Sequence, residues 1–502
     1  MTGEHFDVLV VGAGISGICA GYHLQASCPD RTYAILEARD RIGGTWDLFR
    51  YPGIRSDSDM YTLGYSFKPW TNPKAIADGD SILEYLGETA REHGIDRKIR
   101  FGHRVTRASW STPDARWTVE VERGDRHEPA RFTCNFLFMC SGYYDYAGGY
   151  TPDFPGIERF EGRVVHPQKW TESIDYAGKR VVVIGSGATA VTLVPEMAKT
   201  AAHVTMLQRS PTYIISMPGE DVVANWLRRH LSARAAYAIT RWKNVLLGLW
   251  FYHFCRGNPK RARALIDRWL RKELGPDFDV GTHFTPRYNP WEQRVCLVPD
   301  SDLFRTMREG RASVVTDQIE TFTENGIRLR SGTELGADLV VTATGLNLQL
   351  LGGLEVHVDG ARVEFAKTFN YKGMMFSDVP NLALAIGYTN ASWTLKAELI
   401  CRYVCRLLNH MQATGTRQCT PRRREQGLEE APFLDLTSGY IRREIHKFPK
   451  QGAKIPWRLH QNYARDLMMM QRGSVEDGVM EFSNRAPTAA PREEEAGRRA
   501  TG

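Results

Sequence analysis

The sequence lacks the signatures of metal sites, secretion and membrane-spanning segments. Its nine cysteines form no CxxC pair and no Cys/His cluster with zinc spacing, so we expect no metal site. The odd number of cysteines favours a reducing compartment, the cytoplasm. The longest apolar run, residues 245–255, is interrupted by His253 and is shorter than the ~20 residues of a membrane span. No basic segment precedes the first apolar run, so we expect no signal peptide.

Neither charge nor composition is extreme. The 502 residues include 65 Lys and Arg against 58 Asp and Glu, a net charge of +7. This mild excess suits an anionic cofactor or membrane lipid and does not require nucleic acid, so we expect no nucleic-acid partner. Hydrophobic residues make up 42% and charged residues 25%, which excludes wholesale disorder. A chain of this length is expected to form about three structural units.

Two segments share one pattern, an apolar strand followed by a glycine-rich turn and a helix. Residues 6–11 precede the turn GAGISG at 12–17, and residues 180–184 precede the turn GSGATA at 185–190. Such apolar runs are typical of parallel strands buried on both faces. We therefore predict an α/β fold with two Rossmann-like dinucleotide-binding domains. Between the turns, residues 110–117 are predicted as a further strand.

The first turn is predicted to bind the pyrophosphate of a dinucleotide. Its glycines let the backbone approach the ligand at a helix N-terminus, where the amides and the helix dipole favour negative charge. Glu37 closes the next strand 25 residues after Gly12, where a carboxylate accepts hydrogen bonds from a ribose diol. A tight turn without a ligand is the alternative. The residues assigned to this site are Gly12, Gly14, Ser16, Gly17 and Glu37.

The second turn differs where the ribose is recognised. Arg209 lies 24 residues after Gly185, at the topological position that holds Glu37 in the first unit. A carboxylate suits a free 2′-hydroxyl, whereas a guanidinium suits a 2′-phosphate. Two sites of this kind predict a flavoprotein, with FAD in the first unit accepting hydride from NADPH in the second; a surface role for Arg209 is the alternative. The residues assigned to NADP are Gly185, Ser186, Gly187, Ala188, Thr189, Ala190, Gln208, Arg209 and Ser210.

Domain boundaries follow from these turns and from shifts in composition. Residues 1–150 are predicted to form the first part of the FAD-binding domain and residues 344–484 its second part. Residues 151–343 are predicted to form the NADP-binding domain, with a helical insertion at about 221–275, where Arg, Leu, Trp and Ala occur at helical spacing. Residues 485–502, rich in Pro, Ala, Glu and Arg, are predicted to be a disordered tail.

A motif in residues 160–170 narrows the class of flavoprotein. It follows the turn-rich segment that ends the first domain. Phe160, Gly162, His166 and Trp170 form the pattern FxGxxxHxxxW, which chance gives in about one chain per thousand of this length. Here the sequence resembles the Baeyer–Villiger type of class B flavoprotein monooxygenases. In that family this segment joins the FAD and NADP domains, and its histidine acts on domain movement and cofactor positioning. A hydrogen-bonded linker histidine is the plainer interpretation.

Further segments carry the same resemblance. Residues 41–59, 43–64 and 387–396 are similar to that family, most strongly to the actinobacterial members that activate the prodrug ethionamide, and the likeness covers nearly the whole chain except the tail. The glycines at 43 and 44 permit close backbone approach to a flavin, and Trp46 offers a flat apolar wall. The resemblance assigns further FAD contacts to Gly44, Thr45, Trp46, Asp47, Leu48, Arg55, Ser56, Asp57 and Val105.

The resemblance also implies two catalytic residues. The family has an arginine of the NADP-binding domain beside the flavin, and the matching segment, residues 289–299, gives that role to Arg294. A permanent cation there stabilises negative charge that develops during oxygenation. Asp57 is expected to pair with Arg294, to orient it, and to help keep the oxygenating species deprotonated. A structural ion pair or surface arginine is the alternative.

The leading hypothesis is an NADPH- and O₂-dependent FAD monooxygenase that converts ketones to esters or lactones and also S-oxygenates thioamides and sulfides. A flavin disulfide reductase is disfavoured because residues 43–59 contain no cysteine. A flavin N- or S-oxygenase without ketone activity stays open, as does a non-catalytic, membrane-peripheral nucleotide-binding protein. The basic, aromatic stretch at 241–263 suits peripheral contact with the inner face of the cell membrane; a packed helix with a solvated face is its alternative.

Overall fold

Two β-sheets with parallel centres organise the chain, in a computed structural model that describes residues 3–424, 427–434 and 436–484. The predicted disordered tail, 485–502, lies outside the described residues.

The helices of the described residues are α1 (Ile15–Ser27), α2 (Thr45–Leu48), α3 (Met60–Leu63), α4 (Gly79–Glu92), α5 (Ala188–Met197), α6 (Val222–His230), α7 (Ala233–Gly257), α8 (Pro259–Leu274), α9 (Val280–Phe284), α10 (Asp302–Arg308), α11 (Trp393–Thr414), α12 (Gly439–Glu444) and α13 (Tyr463–Leu467). The strands, over the same ranges, are β1 (Glu4–Val11), β2 (Tyr33–Leu36), β3 (Ile99–Arg100), β4 (His103–Ser111), β5 (Arg116–Arg123), β6 (Glu128–Met139), β7 (Tyr144–Gly149), β8 (Arg163–Val165), β9 (Arg180–Ile184), β10 (His203–Gln208), β11 (Ile214–Met217), β12 (Cys296–Pro299), β13 (Ala312–Thr316), β14 (Ile319–Thr323), β15 (Gly326–Leu329), β16 (Glu334–Gly336), β17 (Leu339–Thr342), β18 (Leu346–Leu348), β19 (Glu355–Val358), β20 (Ala361–Arg362), β21 (Asn370–Tyr371), β22 (Met375–Phe376), β23 (Leu382–Leu384), β24 (Gln418–Pro421), β25 (Glu430–Pro432), β26 (Lys450–Gly452) and β27 (Met480–Ser483).

The first sheet carries the first glycine turn at its parallel centre. Strand β1 pairs in parallel with β2 on one side and with β6 on the other, and β23 pairs in parallel with β6. Val8, Leu9 and Val10 are fully buried, as is typical of a parallel strand at the centre of a sheet. An antiparallel extension through β5 and β4 continues to β19 and β20. The carboxyl ends of β1, β2 and β6 therefore meet beside the first turn.

The second sheet carries the second glycine turn. Its five strands lie in the order β13-β10-β9-β17-β8, and all neighbouring pairs are parallel. The predicted α/β fold class, with two Rossmann-like units, is confirmed by this pair of sheets. Two connections between the sheets, β7 and β18, run side by side as an antiparallel pair.

One predicted strand is wrong. Residues 110–117 span the end of β4, a turn and the start of β5, and Ala115 in that turn has φ +48°. Trp110 and Trp117 pair across the hairpin, with ring centroids 5.5 Å apart. Two aromatic residues seven positions apart are equally compatible with one strand or with a hairpin, and Pro113-Asp114 between them is a turn signal.

The helical insertion consists of α6, α7 and α8. Each start has a helix-initiating residue: the Asp221 carboxylate accepts from Ala224 N, the Ser232 hydroxyl accepts from Ala235 N, and Pro259 opens α8. The buried Arg241 of α7 donates to the carbonyl of Gly64 at 2.7 Å, in the segment after α3. The insertion is therefore fixed against the first domain.

Candidate active site

A cavity of about 800 Å³ lies between the first glycine turn and the start of α5, the helix of the second turn. The site residues predicted from the sequence divide between its wall and its surroundings. Those on the wall are Gly12, Gly14, Ser16, Glu37, Gly44, Thr45, Trp46, Arg55, Ser56, Asp57, Val105, Ala188, Thr189 and Arg294. Those off the wall are Gly17, Asp47, Leu48, Phe160, Gly162, His166, Trp170, Gly185, Ser186, Gly187, Ala190, Gln208, Arg209 and Ser210.

The first glycine turn is closely packed. Gly12 has φ +105°, and a Cβ at this position would lie 2.6 Å from the Cys140 carbonyl oxygen. A Cβ at Gly17 would lie 1.8 Å from the carbonyl oxygen of Gly12. Gly14 precedes α1 without any side-chain cap, so the first amides of that helix stay free for an anion.

Glu37 is fixed beside this turn. Its Oε2 accepts a hydrogen bond from the Ala13 amide at 2.7 Å, and its Oε1 accepts from the Arg39 amide at 3.0 Å. The residue is 6% exposed, and burial raises the pKa of its carboxyl group. Because Glu37 also lines the cavity, its remaining lone pairs can accept from ribose hydroxyls.

The segment after the first turn folds over the cavity through two glycines with positive φ, Gly43 and Gly44. A Cβ at Gly44 would lie 3.1 Å from the Cα of Gly14, so the segment approaches the turn closely. The buried Asp47 forms ion pairs with Arg39 and Arg50. Its carboxylate thus holds the segment in position and does not form the cavity wall.

Arg294 and Asp57 form an ion pair on the wall, with Arg294 Nη2 2.8 Å from Asp57 Oδ2. The Arg294 side chain is 33% exposed and that of Asp57 32%, so the pair is open to the cavity. The Asp57 carboxylate raises the pKa of Arg294 above its usual value, against the opposite effect of burial. Arg294 is therefore a permanent cation within the cavity.

Two tyrosines that the sequence analysis missed, Tyr143 and Tyr144, lie near this pair. The hydroxyl oxygens of Tyr143 and Tyr144 are 3.2 Å apart, and burial raises the pKa of both groups. The Tyr143 ring stacks on Trp393 with centroids 5.3 Å apart, and Trp393 Nε1 donates to Ser16 Oγ at 2.8 Å. These contacts connect the first turn to the ion pair. The available signal was the run YYDY at residues 143–146, separated by three residues from the carboxyl end of β6.

The second glycine turn has a similar backbone but more space. Gly185 has φ +137°, and a Cβ there would lie 2.3 Å from the Ala343 carbonyl oxygen. Gly187 precedes α5 without a side-chain cap, and a Cβ at Gly187 would meet no atom within 4 Å. Ala190, at the third position of the motif, is fully buried. Ser186 Oγ is 2.7 Å from Thr212 Oγ1, which ties the turn to the following loop.

The residues at the end of β10 have different surroundings. Gln208 is buried, and its Nε2 donates to the His283 carbonyl at 2.7 Å and to Thr316 Oγ1 at 2.9 Å. Its side chain therefore joins β10 to α9 and β13. Arg209 and Ser210 are exposed, so their side chains are accessible to a ligand.

A second arginine, missed in the sequence, lies close to Arg209. A Cβ at Gly439 would lie 3.9 Å from Arg209 Nη2 and 3.7 Å from Arg443 Nη1. The Arg443 guanidinium stacks on the Tyr150 ring, 3.5 Å from its centroid. Burial and, more weakly, the like charge of Arg209 lower the pKa of Arg443. Two guanidinium groups near Gly439 concentrate positive charge there, which suits a multiply charged anion.

His166 lies at the connections between the two sheets. Its Nδ1 accepts from the Gln168 amide at 3.2 Å, so Nε2 carries the proton and donates to the Gly345 carbonyl at 3.1 Å. Burial lowers the pKa of the imidazole, which keeps it neutral. The ring occupies the space beside Gly149, where a Cβ would lie 1.9 Å from it. His166 thus contacts Gly149, at the end of β7, and Gly345, the residue before β18.

The other motif residues form the support of this linker. A Cβ at Gly162 would lie 2.4 Å from the Phe160 ring, so glycine lets that ring fold back against the chain. Phe160 packs edge to face on Phe322, and Trp170 packs edge to face on Tyr176. None of the four motif residues lies on the cavity wall.

Fold and cavity together define a class: flavoproteins with two dinucleotide-binding units and an arginine at their junction. The family model for flavin-binding monooxygenase-like proteins matches residues 6–230. The FAD-containing monooxygenase EthA of Mycobacterium tuberculosis strain H37Rv is 54% identical over 483 residues, covering 96% of this chain and 98% of EthA. The probable FAD-binding monooxygenase AlmA of Acinetobacter baylyi is 48% identical, covering 97% of each chain.

This chain belongs to that family of FAD-containing monooxygenases, and it therefore uses O₂ and a small-molecule substrate. Solved structures agree on the fold. A steroid monooxygenase bound to NADP matches with a TM-score of 0.77 at 24% identity, covering 95% of this chain and 99% of that one. Cyclohexanone monooxygenase from Rhodococcus sp. Phi1 bound to NADP⁺ matches with a TM-score of 0.69 at 22% identity, covering 84% of this chain and 87% of that one.

Proposed function

We propose that the enzyme uses NADPH and O₂ to insert one oxygen atom into ketones, giving esters or lactones, and that it also S-oxygenates thioamides and sulfides. The observation that carries the proposal is one cavity that joins three parts. It extends from the first turn and Glu37, past the Arg294–Asp57 pair, to the start of α5. A flavin and a nicotinamide bound at the two turns would meet beside Arg294. One of the solved structures with the same fold, the cyclohexanone monooxygenase, is named for a ketone.

The described residues fit both dinucleotides. Gly14 and Gly44 leave a cradle that side chains would fill, and Gly187 leaves open space at the start of α5. Ser141 Oγ is buried beside the cavity and forms no hydrogen bond with a described residue, which suits a group that contacts a ligand. The acid Glu37 and the base Arg209 suit a free ribose diol and a 2′-phosphate, respectively.

When bound, the flavin supplies oxygen activation and NADPH supplies the electrons. Arg294 stabilises the negative charge that develops on the substrate oxygen when a carbonyl is attacked. Asp57 holds the guanidinium in that orientation through their 2.8 Å contact. Tyr143 stacks on Trp393 and Tyr144 packs against Tyr143, so aromatic rings cover part of the region around the cation, which strengthens its effect.

The test is product analysis with a panel of ketones, thioamides and sulfides. The Arg294→Ala variant should keep its FAD and lose ketone oxygenation by about 10²- to 10³-fold, as when an oxyanion donor is removed. Arg294→Lys, which keeps the charge without the planar fork, should recover part of the activity. Normal ester formation by Arg294→Ala would remove this residue from the mechanism.

Two other results would replace the proposal. Oxygenated sulfur products without any ester or lactone would assign the enzyme to flavin N- or S-oxygenases. Bound FAD that NADPH fails to bleach without oxygen would favour a non-catalytic, nucleotide-binding protein. Mass spectrometry of the products separates oxygenation from peroxide release.

Peripheral membrane contact at the inner face of the cell membrane is part of the proposal. Among the described residues, no helix has the length and hydrophobicity of a membrane span. The helical insertion, basic and rich in tryptophan, is the segment that supports peripheral contact.

A further inference from the structure

The outer side of α6 and α7 exposes apolar side chains to solvent. Among the described residues, fourteen large hydrophobic side chains are exposed, and eleven of them lie between Met217 and Leu265. We call the outward residues of α6 and α7 the apolar face. Its members are Val222, Val223, Trp226, Ile239, Trp242, Leu246, Leu247 and Trp250, with exposed fractions from 43% for Trp242 to 76% for Val222.

The apolar face follows the period of a helix. Ile239, Trp242, Leu246 and Trp250 lie at i, i+3, i+7 and i+11 on α7, one line along its surface. Contiguous apolar surface of this kind is rare on monomers and marks an interaction site. The opposite side of α7 is occupied, because buried Arg241 donates to the carbonyls of Tyr61 and Gly64.

The three helices of the insertion, α6, α7 and α8, concentrate the positive charge of the chain. Residues 221–274 contain twelve Lys and Arg against three Asp and Glu, a net charge of +9, whereas the whole chain carries +7. Seven of these cations are exposed and form no ion pair within 4.0 Å of a described residue. They are Arg229, Arg234, Arg256, Lys260, Arg261, Arg268 and Lys272.

We propose that the apolar face docks on an anionic lipid bilayer, with the unpaired cations of α6, α7 and α8 against its headgroups. Tryptophan and aliphatic side chains beside free Lys and Arg are the chemistry of a helix that lies in a membrane interface. The excess charge of the insertion selects an acidic surface. The inference refines the peripheral membrane contact proposed above and rests on it.

Docking would bring the bilayer close to the cavity. On its inner side, α7 contributes Val245 and Leu249 to a small apolar cluster with Tyr388 and Ala391. Tyr388 and Ala391 line the cavity. One helix therefore separates the bilayer from the cavity wall, which suits a lipophilic substrate that dissolves in the membrane.

The test is flotation of the FAD-loaded enzyme with vesicles of phosphatidylcholine alone or mixed with phosphatidylglycerol. We expect binding to the mixed vesicles that weakens as salt rises, because salt screens exposed charges. The triple variant Trp242→Ser/Leu246→Ser/Trp250→Ser should bind at least about tenfold more weakly, since it loses the buried apolar area. A matched control, Phe101→Ser/Met468→Ser, removes two exposed hydrophobic residues elsewhere and should bind like the wild type.

A charge variant tests the role of the cations and leaves the tryptophans unchanged. Arg256→Glu/Lys260→Glu/Arg261→Glu should also lose binding to the mixed vesicles. Oxidation of NADPH with a water-soluble ketone should be unchanged in both variants, which separates loss of docking from loss of the proposed activity.

Three results would overturn the inference. One is wild-type affinity for mixed vesicles in both the apolar and the charge variant. Another is equal binding to neutral vesicles, which would remove the role of the cations. The third is a dimer in solution that the serine variant splits while the wild type ignores vesicles, since the occupant would then be a second copy of the chain.

Discussion

The two glycine turns share the first two glycines of the motif. They differ at the third glycine and in the residue that is expected to recognise the ribose. In the first, Gly17 is in close contact with Gly12, and Glu37 is 6% exposed between two backbone amides. In the second, the position of Gly17 is filled by Ala190, and Arg209 is exposed. One nucleotide site is enclosed and the other is open.

This difference matches the division of labour that we propose. A flavin that stays on the enzyme benefits from a closed site whose polar groups are preorganised. A nicotinamide nucleotide must enter and leave during the catalytic cycle, so a cation on an open surface suits it. The two turns should therefore respond differently to the same kind of substitution.

The largest expected effect is that of Gly17→Ala. Its Cβ would lie 1.8 Å from the Gly12 carbonyl oxygen, so α1 or β1 must shift. We expect a cost on the order of 3 kcal/mol and loss of bound FAD, measured by thermal unfolding and by flavin absorbance.

Gly187→Ala is a control at a loosely packed glycine of the open turn, where the position equivalent to Gly17 already holds Ala190. No atom lies within 4 Å of the added methyl group, so this variant should keep its stability and its FAD while binding NADPH less well. Equal losses of FAD in the two variants would contradict the distinction between an enclosed and an open site.

The next effect concerns Glu37→Gln. The two oxygens of Glu37 accept from two backbone amides, and a glutamine has only one oxygen, so one amide is left without an acceptor. We expect FAD binding to weaken by about 10- to 100-fold. Dissociation constants measured after removal and return of FAD give this value.

The same variant has a pH signature. Burial raises the pKa of Glu37. As the pH is lowered, the carboxylate of the wild type is therefore protonated, and FAD retention falls, at a higher pH than an ordinary glutamate would give. Glu37→Gln should lack this dependence. Identical pH profiles of FAD retention in the two proteins would show that Glu37 does not titrate against FAD.

The features that the sequence predicts well are local. The strand–turn–helix units and the helices of the insertion, predicted at about 221–275 and observed as α6 to α8, each depend on a short stretch of chain. The roles of Glu37 and Arg209 in ribose recognition stay predictions. The pairing of Asp57 with Arg294 joins distant segments, and its prediction depended on family resemblance. Its observed 2.8 Å contact agrees with that prediction.

The features that were missed require three-dimensional proximity. Arg443 lies on α12, more than 200 residues from Arg209, and no local pattern connects them. Gln208, assigned to NADP by position, has a buried side chain that joins neighbouring elements. The hairpin within 110–117 was missed because its turn signal, Pro113-Asp114, is only two residues long.

The smallest expected effect belongs to the open site. Arg209→Ala removes an exposed cation, and we expect the KM for NADPH to rise by about tenfold while the KM for NADH changes little, because only NADPH has the 2′-phosphate. FAD content should be unchanged. Arg443→Ala serves as a graded control: its guanidinium is near Arg209 but stacked on Tyr150, so we expect a rise of only a few-fold in the same KM. Steady-state kinetics with both nucleotides measures these values. An equal rise for NADH and NADPH in Arg209→Ala would mean that this arginine does not recognise the phosphate, and the contrast between the ribose acid and the ribose base would then no longer explain cofactor choice.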